Sequence, residues 1–113
     1  MKKQRKNIIQ TVRELFRSDR QAKEISIKEA LNRPSSTLLI DVRSKQEYQE
    51  GHLNGAICIP DYEIVAEAPK IIPDKNKAII LYCQSGARSK KAAEMLENMG
   101  YSNVVNVAGG LNE

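Results

Sequence analysis

Residues 78–89 read Ala78-Ile79-Ile80-Leu81-Tyr82-Cys83-Gln84-Ser85-Gly86-Ala87-Arg88-Ser89. The apolar run through Tyr82 is a buried-type strand. The stretch behind the loop, Lys90-Lys91-Ala92-Ala93-Glu94-Met95-Leu96-Glu97-Asn98-Met99, is rich in helix formers and sets Ala92, Met95, Leu96 and Met99 on one face. Gly100 supplies the helix stop. A tight loop therefore carries Cys83 from a strand end to a helix start. Helix N-termini expose unpaired N–H groups and partial positive charge, which favour an anion and lower the pKa of a thiol. A cysteine that merely ends a buried strand is the alternative. Gly86 and Arg88 in the same short loop weigh against it, and the segment reads as a nucleophile in an anion cradle.

On either side of this segment the chain alternates strands with short helices. Glu24-Ile25-Ser26-Ile27 predicts a short strand, Thr37 to Val42 a buried one, Ala56 to Ile59 another stopped by Pro60, and Ser102 to Val107 the last. Ala108-Gly109-Gly110 then forms a closing turn. Ser26 with Glu29, and Ser44 with Glu47, have the capping-box spacing of helix starts. Asp61 is placed to cap a helix running to about Ala68, and Pro69, Pro73 and Asp74-Lys75-Asn76-Lys77 make the following loop. This alternation predicts an α/β fold, a mainly parallel central sheet flanked by helices on both faces. In such sheets ligand sites form beyond the carboxyl ends of the strands, where Cys83 stands.

A chain of 113 residues supports one domain with a core that needs no metal or disulfide. We divide it into a basic amphipathic N-terminal helix, residues 1–22, and a main domain, residues 23–113. Ile8, Val12, Leu15 and Phe16 recur at helical spacing, and the stripe is expected to pack on the chain's own domain, with a partner or a membrane surface as the alternative. The net charge of +4 is uneven: residues 1–20 hold seven Lys/Arg against two Asp/Glu, the remainder eleven against twelve. No basic stripe crosses the body, so nucleic acid is not an expected partner. No apolar run is long enough for an integral membrane segment. Ile8-Ile9 is broken by Gln10-Thr11, so no signal-peptide core follows the N-terminal charges, and the expected location is cytoplasmic with Cys58 and Cys83 reduced. There is no Cys-x-x-Cys pair and a single histidine, so a zinc or other metal site is not expected.

Several separated motifs together resemble the rhodanese family of sulfurtransferases, a single-domain member, over roughly residues 24–112. They are Leu39-Ile40-Asp41-Val42-Arg43, Glu47-Tyr48, Gly51-His52-Leu53-Asn54-Gly55-Ala56, Ile59-Pro60, the loop Cys83 to Ser89, and Val107-Ala108-Gly109-Gly110-Leu111. The resemblance implies a rhodanese-like fold and a persulfide cycle without a cofactor. In that cycle Cys83 attacks the outer sulfur of a small donor, thiosulfate or a persulfide. It then passes that sulfur to cyanide or a thiol. A sulfur-relay module with a protein thiol as acceptor is the second reading, favoured by the basic N-terminal helix. After the Gly-Gly turn the family often has a short helix with a tryptophan. Here Leu111-Asn112-Glu113 stand in its place, and the closing packing is expected to be weaker or supplied by the N-terminal helix.

The residue chemistry fits sulfur transfer. A thiolate and an anionic donor must meet, so donors and positive potential have to point at both. The resemblance implies that backbone N–H groups of Gln84, Ser85, Gly86, Ala87 and Arg88 converge on the sulfur. Gly86 permits close backbone approach or positive φ. Arg88 offers a planar set of donors, and Ser85 and Ser89 hydroxyls, with Ser89 alternatively a helix cap. Four residues separate Cys83 from Arg88. Tyrosine-type phosphatases, including those sharing the rhodanese fold, have five, so the shorter cradle favours sulfur over a phosphate ester. Asp41 and Arg43 flank a strand end and are read as a supporting ion pair that holds a loop. His52 and Cys58 are assigned structural roles, Cys58 as a small buried hydrophobe.

Overall fold

The computed structural model describes residues 23–113, and the expected helix of residues 1–22 lies outside them. Strands β1 (Lys23–Ile25), β2 (Leu38–Asp41), β3 (Ile57–Cys58), β4 (Ile79–Tyr82) and β5 (Val104–Val107) alternate with helices α1 (Ile27–Leu31), α2 (Lys45–Glu50), α3 (Ile64–Ile71) and α4 (Ala87–Asn98). The five strands form one sheet in the order β1-β5-β4-β2-β3, and every adjacent pair is parallel. Strand β4 sits at the centre with all four residues buried. Its side chains alternate between two cores, as a strand covered on both faces requires. Ile79, Leu81 and Cys83 join the core that contains Ile64, Ala68, Ala92 and Leu96 of α3 and α4. Ile80 and Tyr82 join Ala30, Leu39, Ala56 and Val107 on the other face.

Both expected capping boxes form. The Ser26 and Ser44 hydroxyls accept the N–H groups of Glu29 and Glu47 at 3.1 Å, and the two glutamates accept the serine N–H groups in return. Helix α3 differs from expectation. Asp61–Glu63 is a 3-10 turn with no side-chain cap, and the α-helix proper starts at Ile64 and runs past Ala68 through Pro69 to Ile71. Ile64, Ala68 and Ile72 are four residues apart and all buried, so core packing carries the helix over a proline that removes one of its hydrogen bonds. Helix α4 begins at Ala87, three residues before Lys90, because left-handed Gly86 (φ 96°) serves as its N-cap.

Candidate active site

Strand alternation points the Cys83 side chain to the α4 side of the sheet, where the residue is fully buried at the mouth of that helix. The Gly86 N–H donates to Cys83 Sγ at 3.1 Å and the Ser89 N–H at 3.4 Å. The Ser89 hydroxyl also lies 3.4 Å from the sulfur. Burial, the largest single influence, pushes the thiol pKa up. The Ser89 hydroxyl and the N–H groups of Ser89, Gly86 and Ser85 outweigh it and leave the thiol below its ordinary range. Ser89, allowed above as a possible cap, is instead the third residue of α4 and fully buried. Its hydroxyl has one proton and two acceptors, the sulfur and the Gly86 carbonyl at 3.3 Å. A thiolate is the stronger acceptor and draws that proton.

Two glycines let the backbone close around the sulfur. A Cβ on Gly86 would lie 2.0 Å from the Ala108 carbonyl oxygen, and one on Gly110 (φ 58°) would lie 2.3 Å from that of Cys83. Beyond Gly110 the Leu111 N–H donates to the Cys83 carbonyl and the Asn112 N–H to that of Gln84, both at 3.0 Å. The Gln84 side chain donates to Asn112 Oδ1 at 2.7 Å. The Gly109-Gly110 turn is thus a clip on the cysteine loop, a role that the sequence reading missed. Asn106 was also missed. It is fully buried on β5 and its Nδ2 lies 3.4 Å from the Gly86 carbonyl. The available signal was a polar residue inside Val104-Val105-Asn106-Val107.

Arg88 is half-buried at the edge of the same cradle and forks onto Glu47 of α2, with Nη1–Oε1 2.8 Å and Nη2–Oε2 3.1 Å. Glu47 drives the Arg88 pKa up chiefly through these bonds, and a Cys83 thiolate adds to the effect. The Arg88 bonds, followed by the Ser44 N–H, lower the Glu47 carboxyl to about 2. Gln84, Ser85 and Ala87 are exposed on the outer rim of the loop.

Asp41 and Arg43 lie on a different network. Both are buried, with Arg43 Nη2 2.7 Å from Asp41 Oδ2 and Arg43 Nε 3.0 Å from Oδ1. The Tyr82 hydroxyl donates to Asp41 at 2.8 Å and accepts the Leu53 N–H at 2.9 Å, while Arg43 donates to the Gly51 carbonyl at 2.6 Å. Tyr82 faces the side of β4 opposite Cys83, so this pair anchors the Gly51–Leu53 turn rather than the sulfur. His52 lies in that turn, stacked on the Tyr48 ring at 3.6 Å with Nδ1 2.8 Å from the Tyr48 carbonyl. Cys58 and Cys83 are both free thiols. Strand β2 separates β3 from β4, which puts the Cys58 strand about 10 Å from the Cys83 strand. Among the described residues, no helix is long and apolar enough to cross a membrane.

Known proteins resemble this chain in sequence and fold. The rhodanese-like domain family matches residues 25–113. The chain is 45% identical over 74 residues to thiosulfate sulfurtransferase PspE of Escherichia coli K12, covering 66% of this chain and 70% of that one. It is 35% identical over 88 residues to the tRNA uridine(34) hydroxylase of Sodalis glossinidius, covering 74% of this chain but only 25% of the hydroxylase. A solved rhodanese with anions from E. coli superposes with TM-score 0.63 and 43% identity, over 67% of this chain and 88% of that structure. The family match over the described domain, on a central parallel sheet that ends in the cysteine loop, makes this chain a member of the rhodanese-like domain family.

Proposed function

We propose that the chain is a sulfurtransferase that carries a sulfane sulfur on Cys83. The Cys83 thiolate attacks the outer sulfur of thiosulfate. A sulfur–sulfur bond forms to Cys83, the donor's own sulfur–sulfur bond breaks, and its electron pair leaves with sulfite. The persulfide then gives its outer sulfur to cyanide, releasing thiocyanate, or to a thiol, and the Cys83 thiolate returns. The observation that carries this reading is the set of donors from Ser85, Gly86 and Ser89 converging on one buried sulfur at the start of α4. They stabilise a sulfur anion before and after transfer, and the cycle needs no general base once the thiol is ionised. Ser85, Gly86 and Ser89 supply the cradle's donors, Gln84, Ala87 and Arg88 form its rim, and Asp41 and Arg43 support the neighbouring Gly51–Leu53 turn. The thiosulfate sulfurtransferase named among the relatives adds weight to thiosulfate as donor.

Intact mass after incubation with thiosulfate, then after a cyanide chase, tests the cycle. One added sulfur is expected on the native chain, absent in Cys83→Ser and removed by cyanide as thiocyanate. No gain with thiosulfate or a persulfide donor would overturn the assignment, as would turnover of an aryl phosphate in its place. A protein thiol is the alternative acceptor. Deleting residues 1–20 should then weaken transfer to a protein acceptor while sparing persulfide formation.

A further inference from the structure

Glu47 holds two positions at once. As the third residue of α2 its carboxylate accepts the Ser44 N–H at 3.0 Å while its own N–H is bound by the Ser44 hydroxyl, so the capping box fixes the side chain at the cradle's edge. The same carboxylate takes two of the five N–H donors of Arg88. The cationic group nearest the sulfur in the loop sequence is therefore matched by a fixed anion. A second pair on the neighbouring surface is matched too, Lys45 with Glu63 at 3.7 Å, and Asp61 adds a further negative charge felt by Arg88. Lys90 and Lys91 are exposed on α4, where solvent screens them. The attraction left for an anionic donor comes mainly from the backbone N–H groups and the helix start, which act at short range.

We propose that Glu47 is a specificity-determining residue, which by matching Arg88 lowers the site's preference for doubly charged over singly charged sulfur donors. This rests on the sulfur-transfer reading and names the donor class of the same site. The discriminating pair of donors is thiosulfate, a dianion, and the methanethiosulfonate anion, CH3SO2S−, which differs by one charge. Both react by the same step. The Cys83 thiolate bonds to the outer sulfur and the donor's sulfur–sulfur bond breaks, its electron pair leaving with sulfite from the first and methanesulfinate from the second.

The test is kcat and KM for both donors in the native chain and in Glu47→Gln. Glutamine also serves at this position of a capping box, so α2 is retained. Glu47→Gln should lower KM for thiosulfate about two- to fivefold, the scale of an exposed charge pair. Coulomb energy is linear in ligand charge, so KM for the thiosulfonate should fall by about the square root of that factor. The preference for thiosulfate should rise and become salt-dependent, whereas in the native chain the ratio of the two donors stays nearly flat with salt. Ser44→Ala breaks the box but keeps both charges, and should lower Tm without moving the ratio. A ratio unchanged by Glu47→Gln overturns the proposal. If that variant fails to fold, a steep fall of the thiosulfate preference with salt in the native chain overturns it. If neither donor leaves a sulfur on Cys83, the sulfur-transfer reading falls. If both do and the ratio does not respond, only the role of Glu47 falls.

Discussion

The Cys83 carbonyl accepts the backbone N–H of Leu111 at 3.0 Å, so the residue that carries the sulfur is fastened to a turn 28 positions along the chain. Leu111 reaches it because Gly110 between them has no side chain, where a Cβ would sit 2.3 Å from the same oxygen. The cradle thus depends on a backbone contact that no side-chain inventory reveals.

Gly110→Ala should therefore act on the site as well as on the fold. The left-handed conformation alone costs an alanine about 1–2 kcal/mol, and relieving the clash must also move the Cys83 loop. A lower urea midpoint together with slower alkylation of Cys83 is the expected result. A stable variant with unchanged alkylation would show that the clip does not hold the loop.

Ser89→Ala should raise the pH at which Cys83 becomes reactive. The hydroxyl is the largest of the influences that favour the thiolate, and removing a donor to a charged group moves the equilibrium toward the protonated thiol. With hydrogen bonds to charged groups worth about 1.5–3 kcal/mol, alkylation near neutral pH should slow roughly tenfold while the plateau at high pH is kept. The pH profile of alkylation checks this. An unshifted profile would assign the Ser89 hydroxyl to the Gly86 carbonyl instead.

The strand-loop-helix unit around Cys83 was legible because its signals are local: an apolar run, then glycine, then helix formers. The capping boxes of Ser26 and Ser44 were legible for the same reason. Asp41 and Arg43 were readable as a pair because they are two residues apart on one strand end. What escaped the sequence was long-range. Glu47 and Arg88 are 41 residues apart, and Asn106 and Gly86 are 20 apart. Each contact exists only once the sheet order puts β5 and β2 on either side of β4. The extent of α3 was missed because Pro69 argues locally for a stop that Ile64, Ala68 and Ile72 override by packing.

Arg43→Met should destabilise the domain without retuning the sulfur. It leaves the buried Asp41 carboxylate with the Tyr82 hydroxyl and the residue 43 N–H but without its cation. Breaking one side of a buried pair costs about 3–5 kcal/mol. The urea midpoint should drop strongly while the pH profile of Cys83 alkylation in the folded variant stays put. A shifted profile would mean that the Asp41–Arg43 pair acts on the thiol, not only on the Gly51–Leu53 turn.

The Glu47–Arg88 fork also makes a prediction in acid. The folded carboxyl titrates at about 2 against an ordinary 4.5, so between those values the unfolded chain binds more protons. The stabilisation is full above about 4.5 and is lost as pH falls toward about 2. Glu47→Gln cannot titrate and keeps the capping box, so its stability should fall less steeply over that window. Glu113, lowered by the N–H groups of Ile27 and Gly109, titrates in both proteins and cancels in the difference. The side chains of Glu47 and Arg88 are 34% and 38% exposed, so added salt should narrow the gap between the two curves. Urea midpoints of both proteins across this range, at low and high salt, decide the matter. Parallel curves would show that the fork contributes nothing to folding, leaving Glu47 only its part in the cap and in donor choice.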